Sequence, residues 1–112
     1  MTDLTWAEFA RVDLRVGTVV SAEPFPQARK PAIKLTIDFG EGIGTRKSSA
    51  QITDHYEPAD LVGKQIAAVV NFPRKQIGPM MSECLVTGFV QDDGSVILAV
   101  PDKPAKNGTR LA

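Results

Sequence analysis

Val12-Asp13-Leu14-Arg15-Val16-Gly17 is the stretch whose reading decides the fold. Apolar Val12, Leu14 and Val16 alternate with polar Asp13 and Arg15, the period of a strand with one buried face. Apolar character resumes beyond Gly17 at Val19-Val20. A glycine inside such a run predicts a bulge or sharp bend, which a small closed sheet needs in order to turn back on itself. A second alternation is clearer still: Ile33, Leu35, Ile37 and Phe39 are separated by Lys34, Thr36 and Asp38. Glycines at 40, 42 and 44 turn this strand into a third, expected over Thr45–Ile52.

The remaining punctuation completes an all-β pattern. Three prolines make 24–31 a loop, and Pro58–Val62 followed by Gly63 has the proline start and glycine stop of one helical turn. Gln65–Asn71 predicts the fourth strand, Phe72–Met81 an interrupted loop, and Ser82–Val90 the fifth strand. Asp93-Gly94 turns a hairpin into Ser95–Val100, leaving an irregular tail over 101–112 in which Leu111 can dock. At the other end Thr5-Trp6-Ala7-Glu8 has the spacing of a capping box. The helix it opens is too short to stand alone. Trp6 and Phe9, three residues apart on one face, must therefore pack on the domain or on a second subunit. Five principal strands, a helical turn between the third and fourth, and an extra hairpin fit a five-stranded, partly open barrel better than a sandwich, which needs more strands.

Composition narrows the function classes. The 112 residues suit one domain, and 13 basic against 13 acidic side chains give no net charge. A chain-wide electrostatic grip on nucleic acid is therefore not expected, although a local basic patch is compatible with this balance. The single cysteine, Cys84, forms no internal disulfide. The first residues show neither the basic nor the apolar part of a secretion signal. The longest apolar runs, Ile66–Val70 and Val96–Val100, are too short to span a bilayer. These features predict a cytoplasmic protein without a membrane span.

Enzymatic readings find little support. The Gly40–Ser48 run lacks the glycine–lysine spacing of a phosphate loop. His55, the only histidine, and Cys84 are the sole candidates for a thiol–imidazole pair, but Cys84 falls in a strand pattern where a cysteine serves as a small hydrophobe. No cofactor or metal site is expected. Binding chemistry is better supplied. Arg15, Lys34, Arg46, Lys47, Arg74 and Lys75 can gather on a barrel face beside Ser48, Gln51, Asn71 and Ser82, offering cations for phosphates and hydroxyls and amides for base edges. The alternative is an ordinary solvated surface interleaved with Glu23, Asp38, Glu41 and Glu83. The loop from Phe72 to Met81 carries Phe72, Ile77, Met80 and Met81, and adjacent methionines suit varied apolar partners. Packing between the barrel end and a partner subunit explains the same residues equally well.

Val12–Gly17, Pro26, Ala28, Ser49-Ala50, Gly63-Lys64, Asn71 and Ser82-Glu83 occur in an order that resembles the tRNA-binding domain of the endothelial-monocyte-activating-polypeptide type, an OB-fold barrel. Pro31–Leu35, Asp38–Gly40, Lys47–Thr53, Val69–Pro73 and the tail Pro101-Asp102 with Asn107-Gly108-Thr109 are most similar to the bacterial CsaA-type export-related chaperones within that family. The resemblance implies a single OB domain over 1–112 and a homodimer completed by the helix at 1–10 and the tail at 101–112, with Trp6, Phe9 and Leu111 in the seam. It further implies binding of unfolded or precursor polypeptides and cooperation with the secretion machinery. Lys34, Asn71, Phe72, Arg74, Met80, Met81, Ser82 and Glu83 are the expected peptide contacts. The alternative ligand is tRNA, on Arg15, Lys34, Arg46, Lys47, Arg74 and Lys75. The tRNA binders carry glycine–methionine after the serine–glutamate pair, where this chain has Cys84-Leu85.

Overall fold

A computed structural model describes residues 2–112. In chain order the elements are α1 (Trp6–Ala10), β1 (Leu14–Pro24), β2 (Ile33–Asp38), β3 (Thr45–Ala50), α2 (Pro58–Leu61), β4 (Gln65–Val69), β5 (Lys75–Ile77), β6 (Met80–Ser82), β7 (Leu85–Val86), β8 (Gly88–Val90) and β9 (Val96–Leu98). Five strands form one antiparallel sheet in the order β3-β2-β1-β4-β7, and β5-β6 and β8-β9 are separate hairpins. The sheet curls until its edges meet. Glu83 N–H donates to the Lys47 carbonyl at 2.8 Å, and the Ser48 hydroxyl to the Cys84 carbonyl at 2.9 Å. The result is the nearly closed five-stranded barrel expected of an OB-like fold.

Alternation fills the barrel. Ile33, Leu35 and Ile37 of β2 point inward with Ser48 and Ala50 of β3 and Ile66 and Ala68 of β4, joined by Val19, Phe39, Leu61 and Leu98. Val69 faces away from this cluster and is nonetheless buried, so β4 is apolar on both faces. That is why residues 66–70 read as an unbroken apolar run.

Gly17 plays a different part from the expected one. It pairs in register with Ile66, and the register slips three residues later, between Val19 and Ser21. A side chain at Gly17 would lie 2.6 Å from Ile37 Cγ2 and 2.7 Å from Phe39 Cδ1, so the glycine serves close packing across the barrel. Other boundaries move as well. β3 stops at Ala50 and β4 at Val69, while the expected strand over Ser82–Val90 is divided among β6, β7 and β8. The expected loop over Phe72–Met81 contains most of the β5–β6 hairpin, turned at Gly78-Pro79.

The two ends of the described chain meet the barrel differently. The capping box forms as the spacing required, with the Glu8 amide on Thr5 Oγ1 at 3.2 Å and the Thr5 amide on Glu8 Oε1 at 3.1 Å. No residue of α1 is buried, and Trp6 and Phe9 meet edge to face at 6.2 Å with Trp6 83% exposed. The tail pairs with β1 where β2 has ended. Val16 N–H donates to Thr109, Gly108 N–H to Val16, and Leu111 N–H to Leu14.

Candidate functional site

Two connections flank the outer face of β2 and β3: the β1–β2 loop (residues 25–32) and the β4–β7 connection (residues 70–84), which carries the β5–β6 arm. In OB folds these are the ligand-binding loops. They are welded together by a satellite core of Phe25, Ala32 and Met80, with Ala28 and Ile77 packed against it. Adjacent strand residues point to opposite faces, so burying Met80 turns Met81 outward, 41% exposed. Phe72, at the root of the arm, is 57% exposed. Met80 thus supports the arm from beneath, while Met81 and Phe72 present apolar surface to solvent.

The cations are not equivalent. In β3 the outward positions are Thr45, Lys47 and Ser49, paired with Asp38, Thr36 and Lys34 of β2. Arg46 has the opposite parity. It is half-buried and donates to the carbonyls of Val70 at 2.8 Å and Glu83 at 3.5 Å. Arg15 is also committed internally, to the Asp13 carboxylate at 2.6 Å and the Gly108 carbonyl at 2.9 Å. Lys34 lies 3.1 Å from Glu23 and over the Phe25 ring, 5.6 Å from its centroid. Lys47, Arg74 and Lys75 remain exposed along the seam between β3 and the arm, with Arg74 loosely paired to Glu83 at 3.6 Å. Pairs this exposed hold little and leave the cation accessible.

Glu83 knits the seam. One carboxylate oxygen accepts from the Lys47 amide at 3.2 Å and the other faces Arg74. The Ser82 hydroxyl lies 3.4 Å from the Cys84 carbonyl, and its strand partner is Lys75. Asn71 accepts from the Asp13 amide at 3.1 Å and donates to the Arg11 carbonyl at 2.6 Å, fixing the chain where α1 enters β1. The structure brings Phe72, Arg74, Met81, Ser82, Glu83, Lys47 and Lys75 to one seam and sets Lys34 across β2–β3. Arg15 belongs to the tail contact. Phe25 and Ala32, which hold the arm in place together with Met80 and Ile77, were given no such role by the sequence. Their signal was the proline-rich loop opposite a methionine-rich one.

His55 and Cys84 do not make a reactive pair. Burial pushes the Cys84 thiol up to about 11, against the opposing hydrogen bond at Ser48, so the thiol is protonated and inert at neutral pH. His55 Nε2 lies 2.8 Å from the Ser95 hydroxyl, whose proton goes to Asp93 Oδ1 at 2.6 Å. Nε2–H is therefore the donor, and the chain of bonds pins the β8–β9 turn without activating a nucleophile. Among the described residues no group of three or more His, Cys, Asp or Glu is arranged to hold a metal ion, and no helix is long and apolar enough to cross a membrane.

Comparison with known proteins agrees with this geometry. Residues 14–110 match the family described as "Putative tRNA binding domain". The chain belongs to this tRNA-binding-domain family. It is 50% identical to the chaperone CsaA of Bacillus anthracis strain Ames, with a TM-score of 0.93 over 99% of this chain and 100% of that one. The CsaA chaperone of Picrophilus torridus is 45% identical, with a TM-score of 0.91 over 98% and 100%. The methionine–tRNA ligase of Methanocaldococcus jannaschii is 34% identical over 109 residues, which are 97% of this chain and 16% of the ligase. This chain thus spans about one-sixth of the ligases it matches, whereas its likeness to the two CsaA chaperones runs end to end.

Proposed function

We propose that this CsaA homologue is a homodimeric, export-related chaperone that holds unfolded or precursor polypeptides on the arm and the β3 seam. One observation carries the reading: the arm exposes Phe72 and Met81 beside Arg74 and Lys75 while Met80 and Phe25 anchor it from below. A rigidly backed strip that mixes flexible apolar with cationic side chains suits extended clients of varied sequence. Lys34 and Arg74 supply charge, Ser82 and Glu83 main-chain hydrogen bonds, and Asn71 keeps the strip in register with β1. The protein works in the cytoplasm, alongside the secretion machinery. A second copy covers Trp6, Phe9 and Leu111, of which one protomer leaves Trp6 and Leu111 exposed and Phe9 half-buried.

The test is suppression of aggregation of a chemically unfolded client. A Phe72→Ser, Met81→Ser double variant loses most of it while keeping its fold, and full activity in that variant removes the arm from the site. Light scattering gives a dimer mass at micromolar concentration, and a monomer mass ends the seam assignment.

The family match and the exposed Lys47, Arg74 and Lys75 favour a second reading, in which the same seam takes tRNA. It requires affinity that falls steeply with salt, since each phosphate contact releases counterions. A flat salt response excludes it.

A further inference from the structure

The outer face of β2–β3 carries a charge pattern that neither the arm nor the seam accounts for. In the register of this pair Lys34 lies opposite Ser49, and Thr36 opposite Lys47. Alternate residues share a face, so these four side chains stand at the corners of one patch. The two ammonium groups occupy one diagonal and the two hydroxyls the other. Diagonal positions across a strand pair are about 7–8 Å apart, a gap that two lysine side chains close around one carboxylate. Lys34 is steered by Glu23 at 3.1 Å and by the Phe25 ring beside it. Lys47 is exposed and makes no ion pair among the described residues.

The surroundings extend the excess. The β1–β2 loop adds Arg29 and Lys30, and the root of the arm adds Arg74 and Lys75, all exposed. Three carboxylates share the face, and each has a partner. Glu23 pairs with Lys34, Glu83 with Arg74 and the Lys47 amide, and Asp38 accepts from the Gly40 amide. Of 13 basic and 13 acidic side chains in the chain, the face thus holds six and three, so a neutral protein concentrates positive charge here. None of these residues lies in the helix or the tail assigned to the dimer seam.

Apolar surface adjoins the cations. β6 runs beside β3, and alternation over 80–84 turns Met80 and Cys84 inward and Met81 and Glu83 outward. Glu83 meets Lys47, and Met80 meets Ala32 near the Ala50 end of β3, so Met81 stands on the Ser49 side of Lys47. This pattern fits a polypeptide better than a polyphosphate. A nucleic-acid strand brings a charge with every nucleotide and successive bases to stack. Here Glu23 and Glu83 interrupt the cations, and Phe72 is the one aromatic of the arm. An extended peptide brings a carboxylate only where its sequence has one, with apolar neighbours on either side.

We propose that this face reads a carboxylate, selecting extended client segments whose Asp or Glu side chain seats between Lys34 and Lys47. The carboxylate accepts from the Thr36 and Ser49 hydroxyls and takes the place of Glu23 at Lys34, while an apolar neighbour packs on Met81. The inference rests on the chaperone reading and names the client chemistry that its site prefers.

The experiment titrates two labelled extended peptides, alike except for a central glutamate or glutamine between leucines, against the full chain. The glutamate peptide binds on the order of tenfold tighter, as one charge-assisted contact supplies. In a Lys34→Gln, Lys47→Gln variant the two peptides bind alike, at the affinity the unaltered chain has for the glutamine peptide. A Lys47→Glu variant, which alters one exposed side chain, gives an independent reading: it disfavours the glutamate peptide and prefers a twin with a central lysine. Equal binding of the first two peptides by the unaltered chain overturns the inference, as does a preference that survives both variants. No binding of either peptide fells the chaperone reading itself. A single-stranded oligonucleotide that displaces the glutamate peptide at near-physiological salt, and loses that ability in the Lys34→Gln, Lys47→Gln variant, assigns the face to phosphates and overturns the carboxylate reading.

Discussion

The β5–β6 arm and the C-terminal tail both fasten onto the barrel as extended segments, but opposite chemistries hold them. The arm is pinned by buried side chains, Met80 against Phe25 and Ala32, which leaves Met81 on its outer face and Phe72 at its root presented to solvent. The tail beyond Gly108 is pinned by its backbone, and its side chains stay in solvent. Side-chain burial makes a permanent platform. Main-chain pairing fixes a segment while leaving its side chains unspent.

The contrast is broken most severely at the arm. Phe25→Ala removes the centre of the satellite core and costs about 3–5 kcal/mol in chemical unfolding, the usual range for a buried phenylalanine. A cost below 1 kcal/mol would mean that the arm is held by something else. At the seam where arm and barrel meet, the raised Cys84 value leaves about a hundredfold less thiolate at neutral pH than a free thiol has. Maleimide or disulfide reagents therefore react slowly until the chain unfolds, and fast stoichiometric labelling of the native protein would contradict a closed seam.

Smaller effects belong to the tail. Asn107→Ala deletes the acceptor for Thr18 and Gln65 and costs about 1–2 kcal/mol. Its sharper signature is faster amide exchange at Gly108 and Leu111 with the barrel amides unchanged. Acid gives the mildest perturbation. The hydrogen bond from Arg15, aided by the charge of Arg110, holds the Asp13 carboxyl below the usual carboxylate range. Its folded value lies below its free value, so the stabilisation is complete above the free value and is lost as pH falls through the folded one. The tail loosens in that window, whereas the apolar core of the arm contributes no matching step. Exchange at Leu111 and Met81 measured from pH 5 to pH 2 separates the two.

Much of the barrel was legible because β2 spells its two faces in Ile33, Leu35, Ile37 against Lys34, Thr36, Asp38. β3 was harder: its inward residues are Arg46, Ser48 and Ala50, which carry almost no hydrophobic contrast, so the parity that buries half of Arg46 was invisible. The β5–β6 hairpin was hidden because strands of three residues around Gly78-Pro79 resemble a loop. Once it is seen as a hairpin, period two separates Met80 from Met81 at once. The tail strand left no signal at all, since main-chain pairing with exposed side chains needs no pattern. Of the candidate site, the residue types were readable; the seam between β3 and the arm was not, and which cations are spent internally was a matter of partners far away in sequence, such as Gly108 for Arg15 and Val70 for Arg46.

The most direct test is an anisotropy titration of the protein against a labelled unfolded peptide, with bulk tRNA as competitor at low and near-physiological salt. The account predicts saturable peptide binding that survives tRNA at the higher salt and is lost in the Phe72→Ser, Met81→Ser variant. Displacement by tRNA at both salts, or peptide binding indifferent to that variant, would contradict it.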